Sequence, residues 1–285
     1  MLVFILRVSG IIRDKMLFKK ISITLSSNQN PDRSPSGGVR EIPYLEFPEL
    51  SKFRDLKHAV FTRHGGVSNA PFQSLNCGTG TRDNPEHVRT NLEIVAQSMA
   101  TSNLVFLEQI HSAETMLVRE KDRHLGAPLA KADAMLTDLA QTGLLIKQAD
   151  CQAVILYDPV KRAIANVHCG WRGNKKNILA AAVRRMQTIF GSPAEEIRAA
   201  IGPSLGPCCA EFRTYAEIFP PEFKNFMIRP DYFDLWAVSR WQLMEAGLKE
   251  QHIEIAGICT KCRPDLFFSY RGGDSGRFAT VVMLI

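Results

Sequence analysis

No stretch of about 18 consecutive apolar residues occurs in the chain, which excludes a transmembrane helix. Heptad runs, collagen-like triplets and self-similar segments of solenoid length are missing too. The 285 residues therefore have to bury an ordinary globular core. Charge of one sign is scarce outside one end. The net charge is +6, but residues 1–40 alone carry +5, from Arg7, Arg13, Lys15, Lys19, Lys20, Arg33 and Arg40 against Asp14 and Asp32. A body that is almost neutral offers no footing for nucleic acid. Seven cysteines are an odd number, in a chain too long to need disulfide staples. That pattern fits a reducing compartment, and the expected location is cytoplasmic. No secretory signal is read at the start, because Arg7 interrupts the apolar Met1–Leu6 and no small-residue cleavage site follows.

What is present begins with a polar cluster, SSNQNPDRSPSGGVR at 26–40, which has no periodicity and reads as a linker. Residues 1–40 are expected to be a flexible basic extension and 41–285 a single catalytic domain. Within that domain strands are expected at 58–62, 104–107, 114–118, 144–147, 153–157, 163–167, 198–201 and 278–285. Helices are expected at 84–100, where Asn84-Pro85-Glu86 supplies cap, proline and acidic first turn, and at 174–190 and about 235–246. The fold class is α/β, with a mixed β-sheet core and surrounding helices. No βαβ unit opens with a glycine fingerprint, so the domain is non-Rossmann.

Three segments put reactive groups where an apolar run stops: Gln109-Ile110-His111, Gln148-Ala149-Asp150-Cys151 and His168-Cys169-Gly170-Trp171-Arg172-Gly173. His111, Cys151 and His168 suit a zinc ion with three protein ligands and a fourth position open. They are 40 and then 17 residues apart, so only the fold can assemble them. The same trio also reads as a Cys151 nucleophile with a histidine base, a thiol hydrolase or amidase. A plain buried cysteine beside two hydrogen-bonded histidines is the third reading. Cys169 alternates with His168 and should pack inward. Asp133 and Asp150 are the nearest carboxylates, suited to orienting a histidine or to moving a proton. Asp150 could equally cap a turn. Arg172, beside a helix expected to start near Gly173-Asn174, and Arg63 and Arg271 are candidates for an anion. Cys208-Cys209 and Cys259-Thr260-Lys261-Cys262 could form a four-cysteine site, although adjacent cysteines rarely both reach one metal. Trp236 and Trp241 read as core.

TRHGGVSNAPFQSLNCG (62–78), LEQIHSAE (107–114), ADAMLTD (132–138), ADCQAVILYD (149–158), ANVHCGWRG (165–173), AAIGPSLGPCC (199–209) and FFSYRGGDSGR (267–277) occur in that order. From about residue 44 to Ile285 the set resembles the laccase-domain or multicopper polyphenol oxidase family, also known as YfiH-type proteins, peptidoglycan editing factors and multifunctional purine nucleoside phosphorylases. The resemblance implies one α/β domain and Zn2+ held by His111, Cys151 and His168. It also implies phosphorolysis of adenosine, inosine, guanosine and methylthioadenosine, together with adenosine deamination. Phosphate held by Arg172, with Arg63 next and Arg271 in support, would attack C1′ of the ribose. In deamination, water activated by the metal would attack C6 of adenine while Asp133 moves the proton. The partners are purine nucleosides and phosphate, with no nucleic acid and no membrane. A thiol amidase acting on peptidoglycan precursors, or a non-catalytic zinc-binding protein, are the alternatives. Copper fits less well, because a multicopper centre needs many histidines and only His64, His111 and His168 of seven lie in these blocks. Ser112, Cys169 and Gly272 depart from the family pattern.

Overall fold

The computed structural model describes residues 16–24, 39–123 and 127–285. In chain order its strands are β1 (Leu17–Thr24), β2 (Val39–Glu46), β3 (Leu56–Phe61), β4 (Asn103–Phe106), β5 (Thr115–Leu117), β6 (Ala134–Thr137), β7 (Thr142–Gln148), β8 (Gln152–Asp158), β9 (Ala163–Cys169), β10 (Arg198–Ile201), β11 (Met227–Arg229), β12 (Tyr232–Phe233), β13 (Ile253–Ile255) and β14 (Phe278–Leu284). The α-helices are α1 (Pro85–Met99), α2 (Trp171–Lys175), α3 (Ile178–Phe190), α4 (Tyr215–Ile218) and α5 (Leu235–Glu245). Two six-stranded mixed sheets carry the fold, ordered β1-β2-β3-β14-β7-β4 and β13-β10-β8-β9-β6-β5, and β11 and β12 form a small ribbon.

The period-two rule of strands explains how these sheets stack. In β14, Phe278, Val282 and Leu284 join a core shared with Ala153, Ile155 and Tyr157 of β8 in the other sheet. Their alternates Ala279, Val281 and Met283 face Val88, Leu92, Val95 and Met99 of α1. On the second sheet, Val154 and Leu156 of β8 lie under Leu179, Ala182, Val183 and Met186 of α3. The result is helix, sheet, sheet, helix, with both central strands buried on two faces. Asn84 caps α1 by accepting from the Glu86 backbone N–H at 2.9 Å, a contact worth about 1 kcal/mol.

Three features differ from the sequence reading. β1 lies inside the stretch read as a flexible extension, and the boundary expected at Glu41 falls within β2. The two strands pair antiparallel from Leu17↔Glu46 to Thr24↔Val39. Lys19 and Lys20, counted as tail charge, are neutralised by Glu46 and Glu41 on the partner strand, and Ile23 is buried. The rest of the linker reading, apart from the strand ends, lies outside the described residues. The helix expected at 174–190 is broken. Asn177 takes a left-handed turn at φ +54 between α2 and α3, and Asn174 is buried, donating to Ser239 Oγ and Gln242 Oε1 of α5 at 2.8 and 3.1 Å. The strands β2, β6, β11, β12 and β13 are extra to those expected.

Candidate metal centre

The centre is built at one end of the space between the two sheets. In β9, Ile164 packs between the sheets, whereas Ala165, Val167 and Cys169 pack under α3. His168 shares the parity of Ile164 and of Asn166, whose side-chain amide donates to the backbones of Leu144 and Thr280 in the facing sheet at 2.9 Å each. Cys169 is buried under the helix as its parity requires, and burial pushes its thiol well up from the ordinary range. Cys151 follows β7 across a tight turn in which Asp150 has φ +81. His111 sits in the loop between β4 and β5 at φ +58. Left-handed conformations at non-glycine residues cost about 1–2 kcal/mol each, so surrounding contacts must hold them.

Those contacts are visible. The Asp133 carboxylate accepts the backbone N–H of His111 at 2.9 Å, and the backbone N–H and Oγ of Ser112 at 2.6 and 2.7 Å. The Lys176 ammonium donates to the His111 carbonyl at 2.8 Å. Asp150 accepts Thr260 Oγ1 and Ser269 Oγ at 2.7 Å each and the Arg271 backbone N–H at 2.5 Å. It is therefore the hub of a turn, one of the readings weighed for it.

One ligand atom from each of His111, Cys151 and His168 lies within 4.8 Å of the others. Cys151 Sγ is 3.9 Å from His111 Nε2, and the two imidazoles meet edge to face with centroids 4.9 Å apart. His168 Nδ1 is 2.8 Å from Asp133 Oδ1. That bond leaves Nε2 for a metal, the arrangement in which carboxylates orient ligating histidines. Gly170 supplies the remaining room: a Cβ there would stand 2.6 Å from Cys151 Sγ and 3.5 Å from His111 Cδ2. Two imidazoles, one thiolate, an orienting carboxylate and a cleared side fit a divalent ion with an open coordination position.

The electrostatics favour the Cys151 thiolate paired with a protonated His168, so an ion binding here would displace the imidazole proton. Burial pushes the Cys151 thiol up, but the His168 and His111 imidazoles outweigh it and bring it to about 6. Burial alone would lower His168, and the Cys151 sulfur and Asp133 carry it up to about 9. Asp133 is raised by burial and lowered further by hydrogen bonds from His168 and Ser112, to about 2. It is a fixed anion with both oxygens occupied.

The candidate arginines separate. Arg172 lies in the first turn of α2, not ahead of a helix starting at Gly173, and its guanidinium covers the Trp171 ring at 4.2 Å. It is exposed. Arg63 uses Nε, Nη1 and Nη2 on Gln73 O, Pro264 O and Asp274 Oδ1 and lies over Phe268 at 4.4 Å. Arg271 is exposed, with Nη1 on the Glu211 carbonyl at 2.9 Å. Trp236 is half-buried and donates to Ser204 Oγ at 2.6 Å. Ser112 and Lys176 escaped the sequence reading as site residues. Ser112 stood out only as a departure from the family pattern, and Lys176 gave no signal.

Residues 57–285 match the family described as multi-copper polyphenol oxidoreductase laccase, and the chain belongs to that family. It is 32% identical over 262 residues to a protein of Bacteroides thetaiotaomicron named purine nucleoside phosphorylase, covering 84% of this chain and 96% of the relative. A Bacillus subtilis protein named purine nucleoside phosphorylase YlmD is 32% identical, covering 78% and 86%. The crystal structure of YlmD from Geobacillus stearothermophilus superposes with a TM-score of 0.77 at 29% identity, over 90% of this chain and 98% of that one. The family name speaks of several coppers, yet among the described residues one group alone combines histidine with cysteine at ligand distance. Of the other described histidines, His58 accepts the Phe47 N–H and His64 contacts the Asp265 carbonyl. No helix among the described residues is long and apolar enough to cross a membrane.

Proposed function

We propose that the chain is a zinc-dependent purine nucleoside phosphorylase that acts in the cytoplasm on adenosine, inosine, guanosine and methylthioadenosine, and that deaminates adenosine at the same centre. The observation that carries this reading is the His111–Cys151–His168 set with Asp133 behind it and Gly170 beside it, in a chain about a third identical to proteins named purine nucleoside phosphorylase. Zn2+ is preferred to copper because one mixed thiolate–imidazole site is a mononuclear Lewis-acid set, not a multinuclear oxidase. When bound, the ion supplies positive charge and an open position that polarise the substrate.

The chain's own residues then divide the work. His111, Cys151 and His168 are the ligands. Asp133 holds His168 in one tautomer and fixes the His111 loop, so its role is positioning, and the proton transfer expected of it in deamination has no free oxygen to use. The Arg172 side chain is exposed two residues beyond Gly170, its guanidinium over the Trp171 ring, and it receives the phosphate, with Arg271 as its partner. Arg63 fastens the 63–75 and 264–274 segments and stands behind them. In phosphorolysis a phosphate oxygen forms the bond to C1′ as the C1′–N9 bond breaks. The electron pair leaves with the purine, which takes up a proton, and ribose 1-phosphate remains. The test is release of adenine from adenosine, dependent on phosphate and lost in His111→Ala and Cys151→Ala.

The second reading is a thiol amidase acting on peptidoglycan precursors, favoured by the low Cys151 thiol beside His168. It predicts activity that survives chelation and is lost on alkylation. The nucleoside reading predicts loss on chelation.

A further inference from the structure

The structure carries a second cluster of soft ligands outside the centre described above. The sulfurs of Cys208, Cys209, Cys259 and Cys262 all lie within 4.8 Å of one another. Cys262 Sγ is 3.6 Å from both Cys208 Sγ and Cys209 Sγ. Four sulfurs about 2.3 Å from one zinc ion stand about 3.8 Å apart, and that is the spacing of a tetrathiolate site. We propose that these four cysteines bind a second zinc ion, which fastens the loop after β10 to the loop after β13.

Three observations point to a metal and not to paired disulfides. The sulfurs converge on one point instead of separating into two pairs, and Cys262 approaches both adjacent cysteines equally. The backbone N–H groups of Gly206 and Cys262 point at the Cys259 sulfur, the arrangement that stabilises a metal-bound thiolate at the head of a CxxC turn. Gly206 makes the close approach possible, since a Cβ there would meet Cys259 Cβ at 2.9 Å and Trp236 at 2.8 Å. The objection that neighbouring cysteines seldom share an ion is answered by the turn itself. The Cys209 N–H bonds back to the Gly206 carbonyl at 2.9 Å and brings both sulfurs to the same side. Binding releases the thiol protons to solvent and leaves a complex of net charge −2, with Lys261 in the CxxC turn and Arg229 on the Cys208 carbonyl at 3.1 Å to offset it.

The two loops are those that hold Asp150. The Leu205 N–H donates to the Asp150 carbonyl at 2.8 Å, and Thr260, between Cys259 and Cys262, donates to its carboxylate at 2.7 Å. Clamping them fixes the turn that presents Cys151. This site does not depend on the nucleoside reading, because its ligands are separate from His111, Cys151 and His168.

Protein purified without air and without added metal is measured by native mass spectrometry and by elemental analysis. The double variant Cys208→Ser/Cys262→Ser, made at two exposed positions, is expected to hold about one metal ion per chain fewer than the wild type. The His111→Ala protein, reconstituted with Co2+, is expected to show the strong near-ultraviolet sulfur-to-cobalt absorption of a tetrathiolate, and to lose it when Cys208→Ser and Cys262→Ser are added. An unchanged metal count in the double variant overturns the proposal. So does a wild-type mass short of two or four hydrogens in place of a metal, the mark of disulfides. Absence of the cobalt band in His111→Ala overturns it as well, with no reference to whether any nucleoside is turned over.

Discussion

Asp133 and His168 are joined twice: the carboxylate accepts from Nδ1 at 2.8 Å and the Asp133 carbonyl accepts the His168 backbone N–H at 2.7 Å. The same carboxylate takes the His111 backbone N–H, so one buried residue sets the direction of one ligand and the loop of another. Asp133→Asn keeps the volume but removes the charge and one acceptor. Metal affinity is expected to fall about 10–100-fold, read by chelator competition. An affinity equal to the wild type would deny Asp133 its positioning role. Ser112→Ala, which removes one of the donors to Asp133, is expected to have a smaller effect in the same direction.

Gly170 offers a cleaner probe of the centre. Its φ of −84 is open to any residue, so Gly170→Ala adds no backbone strain and acts only through the methyl group directed at Cys151 Sγ. Loss of metal binding is expected, with a stability change of about 1–3 kcal/mol from overpacking. Thermal unfolding of the metal-free proteins separates the two effects. Full metal occupancy in the variant would show that the centre does not lie between His111, Cys151 and Gly170.

The arginines are expected to divide by measurement. Arg172→Ala should raise KM for phosphate about tenfold or more while leaving the unfolding midpoint close to the wild type, because the side chain is exposed. Arg63→Ala removes three hydrogen bonds and a ring contact and is expected to destabilise by about 1–3 kcal/mol. A phosphate KM that moves with Arg63 and not with Arg172 would reverse the assignment.

A pH dependence follows from His58, which is not one of the candidate ligands. Burial lowers it from 6.5 to about 4, and in its neutral form Nε2 accepts the Phe47 N–H at 2.8 Å. The unfolded chain takes up a proton near pH 6.5, whereas the folded one takes it up only near pH 4. Stability is therefore constant above the upper value on this account and declines as pH falls through the window, by about 3 kcal/mol in all. Denaturant unfolding of the wild type and of His58→Gln at several pH values checks this. Equal slopes in the two proteins would contradict it.

Sequence pattern revealed the strands of the two cores and α1 with its Asn84 cap, because long runs with a clear period of two or 3.6 declare themselves. His111, Cys151 and His168 stand where apolar runs end, which left them open to three readings, and the ordered motifs shared with the family singled them out as a ligand set. Their separations needed the fold to become a site. What stayed hidden were relations between segments with no local mark. β1 is a strand because β2 offers it a partner and two glutamates. The break at Asn177 accompanies the hydrogen bonds that Asn174 makes to α5, a contact with no mark in the local sequence. The four sulfurs meet because β10 and β13 are parallel neighbours, which puts the loops after them side by side.

The central claim is tested most directly by measuring bound metal and incubating the purified protein with adenosine, with and without phosphate, the products being separated by chromatography. The account predicts zinc in the His111–Cys151–His168 centre and adenine released only with phosphate, both lost in His111→Ala and Cys151→Ala, with inosine formed slowly in its absence. A protein that holds no metal in that centre and leaves adenosine unchanged under both conditions would contradict it.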